Sequence, residues 1–137
     1  MTTLPDVEIS TDPARLDIDL VQRHLSASYW AIGRSRAVVE HSIKNSLSFG
    51  AYQDGRQLGF GRVITDYATF AYLADIIVFP ECQGRGVGTA IVQAMVDHPR
   101  LAGIRLMLLR TRDAHGLYEK CGFGAIPQPD EMMARYS

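Results

Sequence analysis

The spacing of hydrophobic residues in the first third of the chain predicts a short strand followed by two helices. The strand covers residues 7–10. In LDIDLVQRHLSASYW and SRAVVEHSIKNS the apolar positions recur every three or four residues, as on one face of an amphipathic helix. Asp17 or Asp19 can cap the first of these helices, because a carboxylate accepts hydrogen bonds from free backbone amides.

From Leu47 onward the hydrophobic positions alternate with a period of two, which is typical of half-buried strands. The runs with this pattern are LSFGAY, LGFGRVIT and TFAYLADIIVF. Turn-forming residues separate them at positions 53–56 and 66–67. Connections this short favour an antiparallel meander.

The second half of the chain continues with a helix, a strand and another helix. An apolar stripe over residues 87–98 predicts a helix that Pro99 ends. IRLMLLRT predicts a strand buried on both faces, AHGLYEKCG a short helix ending at Gly122, and FGAIPQPDEMMARYS a terminal hairpin. Together the elements predict a mixed α/β (α+β) fold, in which one sheet carries helices on both faces and residues 1–137 form a single domain.

Composition narrows the functional classes. With 47% hydrophobic and 21% charged residues the chain can bury a core, and its formal net charge of -1 argues against a nucleic-acid partner. The two cysteines and four histidines are scattered, so no metal site is expected. The N-terminus does not resemble a signal peptide, and no apolar run is long enough to span a membrane. We therefore expect a cytoplasmic protein with no membrane partner.

The glycine-rich segment QGRGVGT lies between a predicted strand and a predicted helix. Amides at a helix N-terminus carry partial positive charge and suit an anionic ligand, although a tight turn would also use glycine. A Walker A loop needs a lysine after the last glycine, and here Thr89 follows Gly88 directly. A dinucleotide fingerprint needs an acid about 20 residues further on. That region, 106–109, is entirely apolar. The segment is best interpreted as a phosphate-binding loop of another kind.

Two motifs together resemble those of the GNAT superfamily of N-acetyltransferases. Gln83, Gly86 and Gly88 match its Arg/Gln-x-x-Gly-x-Gly/Ala pattern, and residues 117–123, LYEKCGF, are similar to its LYEKxGF segment. The resemblance covers residues 70–123 and includes the order of elements between the motifs. It implies the GNAT-like fold, with a mostly antiparallel sheet and a splayed strand pair. It also implies acetyl-CoA as cosubstrate, no metal, and a possible homodimer.

The resemblance also implies which residues bind the cofactor. The backbone of Ile76, Ile77 and Val78 would pair with the pantetheine arm. Thr111 stands where the family often has an asparagine that holds this arm. The amides that would bind the pyrophosphate are those of Gln83, Gly84, Arg85, Gly86, Val87, Gly88 and Thr89.

Two residues are candidates for catalysis under this resemblance. Tyr118 matches the tyrosine that protonates the departing thiolate; the alternative is a packed tyrosine whose hydroxyl bonds to backbone. Asp75 interrupts an apolar run, so its carboxylate needs a partner. It either binds or deprotonates the acceptor amine, or it is satisfied by a backbone amide or an arginine.

The acceptor pocket is expected among the early helices and the turns between strands. We predict direct attack by a primary amine of a small molecule or protein on acetyl-CoA. The alternatives are a non-catalytic acyl-CoA-binding sensor or scaffold and an enzyme acting on a charged RNA terminus, which the absence of net basic charge disfavours. The candidate lining residues are Tyr29, Trp30, Tyr67, Phe70 and Tyr72.

Overall fold

The computed structural model describes residues 6–137, which fold into a five-stranded sheet and four α-helices. None of the helices in this range is long and apolar enough to cross a membrane. The strands are β1 (Glu8–Ser10), β2 (Leu47–Gln53), β3 (Arg56–Thr65), β4 (Ala71–Val78) and β5 (Met107–Leu108). The helices are α1 (Ile18–Ser26), α2 (Arg36–Lys44), α3 (Val87–Val96) and α4 (His115–Glu119).

The strands lie in sequence order, and all neighbours are antiparallel except the parallel pair β4 and β5. The short turns at 53–56 and 66–70 produce the antiparallel part, whereas α3 provides the crossover that a parallel neighbour requires. This arrangement confirms the predicted mixed α/β fold.

The helices α1 and α2 each begin directly after a residue whose side chain accepts a hydrogen bond from a free backbone amide. Asp17 caps α1, because its carboxylate accepts a 3.1 Å hydrogen bond from the Leu20 amide. Ser35 caps α2 in the same way. The predicted buried stripe of α2 is correct at Val39, but its neighbour Val38 is exposed.

Helices cover the two faces of the sheet and form two hydrophobic clusters. Phe60 points into the cluster around α1 and α2, and the adjacent Gly61 faces α3. A Cβ atom at Gly61 would lie only 2.6 Å from the Met95 Cε atom and 3.2 Å from the Ile91 Cγ2 atom. A glycine here therefore lets α3 pack closely on the sheet.

The strands β4 and β5 diverge soon after they meet. Only Ala71 and Tyr72 of β4 pair with β5, so the later part of β4 has a neighbour on one side alone. Asp75 and Ile76 stand opposite the single residue Gly61, and Asp75 has a φ of 55°, which together form a β-bulge. The bulge bends β4 at the point where the two strands separate.

The C-terminal third departs from the sequence-based expectation. The strand predicted over IRLMLLRT shrinks to two residues because β4 turns away from this segment, and Leu106 is 50% exposed rather than buried. The predicted terminal hairpin is also wrong, since no strand follows β5 in the range 6–137. Pro127 and Pro129 each remove an amide that a hairpin would use.

Candidate functional site

The three alternating glycines of the loop before α3 serve different purposes. Gly84 and Gly86 have φ angles of 78° and 85°, in the left-handed region that side chains disfavour. Gly88 instead lies in the first turn of α3 with ordinary helical geometry, and it is buried. A Cβ atom there would come within 2.8 Å of the Leu117 Cδ1 atom. The last glycine therefore allows α4 to pack against α3.

This loop presents a run of backbone donors without protein partners. Within residues 6–137, the six consecutive amides from Gly84 to Thr89 donate to no protein acceptor, and no side chain caps α3. The Gln83 side chain holds the loop against the sheet by donating a 3.1 Å hydrogen bond to the Val78 carbonyl. Free amides, helix polarity and the absence of Cβ atoms at the turn all fit a phosphate group.

The open edge of β4 lies next to this loop. Ile77 and Val78 pair with β3 on one side, and β5 does not extend to them on the other. The Ile76 side chain packs close to Gly61, within the core on the α3 side. The predicted pantetheine contact concerns the backbone of these three residues, and the divergence of the strands leaves space beside it.

Tyr118 lies on α4 and is half-buried. Burial is the main reason that its pKa is raised to about 12, and the nearby Tyr29 and Asp113 act in the same direction. Its hydroxyl has no hydrogen-bond partner in the described part of the chain, and its ring meets Phe123 edge-on at 6.2 Å. The alternative of a hydroxyl bonded to backbone is not what the structure shows.

A cavity of about 720 Å³ adjoins Tyr118, between β5 and residues 121–127. Thr111 and His115 also line it. The Thr111 hydroxyl accepts a 3.0 Å hydrogen bond from the Ala114 amide and so stabilises the turn that leads into α4. Its predicted contact with pantetheine stays a prediction.

Asp75 lies at the bulge of β4 and is 7% exposed. One carboxylate oxygen accepts hydrogen bonds from Arg34 Nη1 at 2.6 Å and from Arg62 Nε at 2.7 Å. The other accepts a 2.9 Å bond from Trp30 Nε1. Burial alone would raise the pKa of Asp75, but the hydrogen bond and charge of Arg62, the charge of Arg34 and the Trp30 bond outweigh it and lower this pKa.

Of the two roles considered for Asp75, the structure therefore shows the carboxylate satisfied by arginine. A carboxylate held in two ion pairs with a lowered pKa is a weak base. Proton acceptance by Asp75 stays a prediction. The observed contacts instead join the α1–α2 loop to β3 and β4.

The α1–α2 loop also reaches the segment between β5 and α4. The Tyr29 hydroxyl accepts a 3.2 Å hydrogen bond from the Arg112 amide, and the Arg112 guanidinium lies 3.7 Å over the Tyr29 ring. Trp30 meets the same ring edge-on at 5.1 Å. The structure thus brings Tyr29 and Trp30 together on the Tyr118 side of the splayed strands.

The other predicted lining residues divide into two groups. Tyr72 lies in β4 opposite Leu108, near the start of the divergence. Phe70 precedes β4 in the turn, and Tyr67 is covered by Arg100 at 4.2 Å, beside the segment that follows α3. The structure therefore does not bring Tyr67 into the group around Tyr118.

The arginines of this region are not among the site residues predicted from the sequence. Arg34 and Arg62 contact Asp75, and Arg110 and Arg112 flank Thr111. The first two were not foreseeable, because their partner lies 41 and 13 residues away. The last two offered a signal, since two charges interrupt the end of an apolar run beside a predicted contact residue.

Comparison with known proteins gives a consistent result. The profile of the acetyltransferase (GNAT) family matches residues 17–123. The crystal structure of a candidate GNAT-family acetyltransferase from Xanthomonas campestris pv. campestris superposes with a TM-score of 0.93 at 48% identity. That match covers 98% of this chain and 95% of the other.

Two proteins that are similar in sequence are also acetyltransferases by name. The candidate acetyltransferase FG08082 of Gibberella zeae is 32% identical, over 82% of this chain and 76% of its own length. Serotonin N-acetyltransferase 2 of Oryza sativa subsp. japonica is also 32% identical, over 75% of this chain. The matched region spans only 52% of the rice protein.

Proposed function

This chain belongs to the acetyltransferase (GNAT) family and is an acetyltransferase, and on that premise we propose that it transfers the acetyl group of acetyl-CoA to an amine nitrogen by direct attack. The observation that carries the proposal is the run of unpartnered amides from Gly84 to Thr89, placed between an open strand edge and a helix N-terminus. Such a run matches the pyrophosphate of a CoA thioester better than it matches an ordinary turn.

The residues present fit this cosubstrate. The loop amides would hold the pyrophosphate, and the open edge of β4 at residues 76–78 would pair with the amide groups of the pantetheine arm. When bound, acetyl-CoA supplies an activated thioester. The protein's part is to hold that thioester and the amine in a reactive arrangement.

Tyr118 is the proposed proton donor to the departing thiolate. Its raised pKa of about 12 keeps the phenol protonated throughout the ordinary pH range, and its hydroxyl is not committed to another residue of the described chain. Asp75 is better suited to positioning, because Arg34, Arg62 and Trp30 already occupy its oxygens.

The acceptor would enter on the side of Tyr29, Trp30 and Tyr72, near Tyr118. A primary amine of a small molecule or a protein is the proposed nucleophile. The name of the rice relative, a serotonin N-acetyltransferase, supports an amine acceptor. Acceptor identity depends on side chains at this end that lie outside the two family motifs.

A thiol-release assay with acetyl-CoA and a panel of amines tests the proposal. We expect amine-dependent release of CoA together with an N-acetylated product identified by mass spectrometry. Saturable acetyl-CoA binding without acetylation of any small amine or peptide would instead favour the non-catalytic binding module. Release of thiol without an acetylated amine would indicate hydrolysis and would contradict direct transfer.

A further inference from the structure

Positive charge is in excess at the proposed acceptor end. Arg34 and Arg62 share a single oxygen of Asp75, so this largely buried cluster contains two guanidinium groups and one carboxylate. Its net charge is therefore +1. A cluster of this kind repels a cation and attracts an anion, and low solvent exposure strengthens both effects.

Two further arginines lie at the rim of the same region. Arg110 donates a 3.2 Å hydrogen bond to the neutral Tyr136 hydroxyl, and Arg112 rests on the Tyr29 ring. Neither forms an ion pair with a carboxylate in the described range 6–137. Asp113 is the acidic group next to them in sequence, and its charge acts on Tyr118. The guanidinium donors of Arg110 and Arg112 are exposed and lack anionic partners.

These side chains are linked by a chain of contacts. Tyr29 accepts a hydrogen bond from the Arg112 amide, and its ring contacts the Trp30 ring. Trp30 in turn donates a hydrogen bond to Asp75. Arg110 lies near both Tyr72 and Tyr29. Arg110 and Arg112 therefore lie beside residues proposed to line the acceptor site, and they are not part of the glycine loop that would bind the cofactor phosphates.

We infer that the acceptor is a small amine that also carries an anionic group, a carboxylate or a phosphate, which pairs with Arg110 and Arg112. This inference rests on the proposed acetyltransferase function. Guanidinium groups bind such oxyanions through paired hydrogen bonds, and their planar form suits recognition at a fixed distance.

The positive surroundings also help the reaction. An amine attacks only in its neutral form, and nearby positive charge lowers the pKa of an ammonium group. The anionic group of the acceptor would then provide the binding energy, while the excess charge deeper in the site promotes loss of the proton from nitrogen. One cluster of arginines can in this way serve both binding and activation.

Matched acceptor pairs test the inference. One series compares amino acids with their carboxamides, and a second compares aminoalkyl phosphates with the corresponding amino alcohols. We expect kcat/KM to be higher for the anionic member by about tenfold or more. The two series distinguish a carboxylate from a phosphate. Equal values within every pair would overturn the inference and leave the proposed function standing, whereas no acetylation in either series would overturn both.

Arginine variants test which residues are responsible. We expect Arg110→Gln and Arg112→Gln to reduce the preference for the anionic member about tenfold each, mainly through the acceptor KM. Acetyl-CoA affinity should be unchanged. Arg23→Gln, an exposed arginine on α1, is the matched control and should keep the preference. Weakened acetyl-CoA binding in the Arg110 and Arg112 variants would assign these residues to the cofactor and overturn the inference. An unchanged preference would also overturn it.

Discussion

At the scale of single residues, the proposed chemistry depends on a phenol that keeps its proton. Tyr118 gains nothing from ionising, because it is half-buried and lies near Tyr29 and Asp113. The thiolate of CoA needs a proton as it leaves, and a tyrosine with a pKa of about 12 remains a competent donor in the whole range where proteins are stable. The residue is therefore matched to an acid role and not to a base role.

Replacing Tyr118 by phenylalanine should separate chemistry from binding. We expect Tyr118→Phe to lower kcat by a factor on the order of 100, the lower end of the usual contribution of a general acid, with acetyl-CoA affinity within about twofold of wild type. Steady-state kinetics and calorimetric titration measure the two quantities. Tyr67→Phe, a tyrosine outside the group around Tyr118, is the control and should keep full turnover.

The pH dependence of the wild type follows from the same pKa. Tyr118 is neutral below its pKa and loses its proton only as the pH rises through about 12. The acid function is therefore retained up to about pH 10. Ionisation of Tyr118 should cause no decline of the wild-type kcat in this range, so the wild type should show no alkaline decline that is missing from Tyr118→Phe. Such a fall below about pH 9, or unchanged turnover of the variant, would rule out this role for Tyr118.

At the scale of elements, close packing of α3 on the sheet determines where the glycine loop stands. Gly61 and Gly59 provide the flat surface on β3, and Gly88 provides the contact with α4. The loop leads directly into α3, so the position of this helix determines where the loop amides lie. The position of the loop therefore depends on the lack of a side chain at Gly59, Gly61 and Gly88.

Gly61→Ala should therefore weaken both stability and cofactor binding. The added methyl group would meet Met95, Ile76 and Ile91, all within the core, and overpacking of this kind costs about 1–3 kcal/mol. We expect a lower midpoint in urea unfolding and a higher Kd for acetyl-CoA. Gly124→Ala is the control, because no atom lies within 4 Å of its added Cβ. Equal stability of the two variants would contradict close packing at Gly61.

Hydrogen exchange offers a direct view of the loop amides. Because the amides from Gly84 to Thr89 have no acceptor within residues 6–137, they should exchange rapidly in the free protein and slow markedly when acetyl-CoA is added. The turn at 54–55, which also contains positive φ angles, should not change. If acetyl-CoA binds and these amides remain fast, the loop is a structural turn and binds no phosphate.

Elements defined by local patterns were predictable from the sequence. The caps at Asp17 and the turn at residues 66–70 depend on side chains that bond to nearby amides, so a short stretch of sequence contains the cause. The fifth strand was mispredicted because its length depends on the course of β4, which bends at a bulge that the local sequence does not reveal. Apolar composition alone does not reveal whether a neighbouring strand will be present.

At the scale of the whole molecule, Asp75 connects the loop after α1 to the sheet through buried polar contacts. Its carboxylate joins the loop after α1, through Trp30 and Arg34, to Arg62 of β3. It does so at the bulge where β4 leaves β5. The same charge cluster therefore joins the layer of α1 and α2 to the sheet and lies beside the strand edge that is proposed to bind the cofactor.

Asp75→Asn tests this connection without disturbing the backbone. Asparagine tolerates the left-handed conformation at φ 55°, so the change removes the charge and leaves two arginines without an anion. We expect a loss of about 3 kcal/mol in the free energy of unfolding near neutral pH, since breaking a buried ion pair is costly. Asp54→Asn, also at positive φ but exposed in a turn, is the control and should change little.

The pH dependence of that loss identifies the ionised carboxylate as its source. The pKa of Asp75 is lower in the folded protein than its ordinary value of 3.8, so its stabilising contribution is present above that value and disappears as the pH falls through the folded pKa. Urea unfolding of wild type and Asp75→Asn should therefore differ most near neutral pH and converge as the pH falls through the folded pKa of Asp75. A difference that stays constant with pH would mean that shape, and not charge, makes Asp75 important.

Acetylation measured at neutral pH, under conditions where Asp75→Asn remains folded, separates a positioning role of Asp75 from proton acceptance. Positioning predicts a raised acceptor KM with kcat largely retained, whereas a base predicts loss of kcat that higher pH restores.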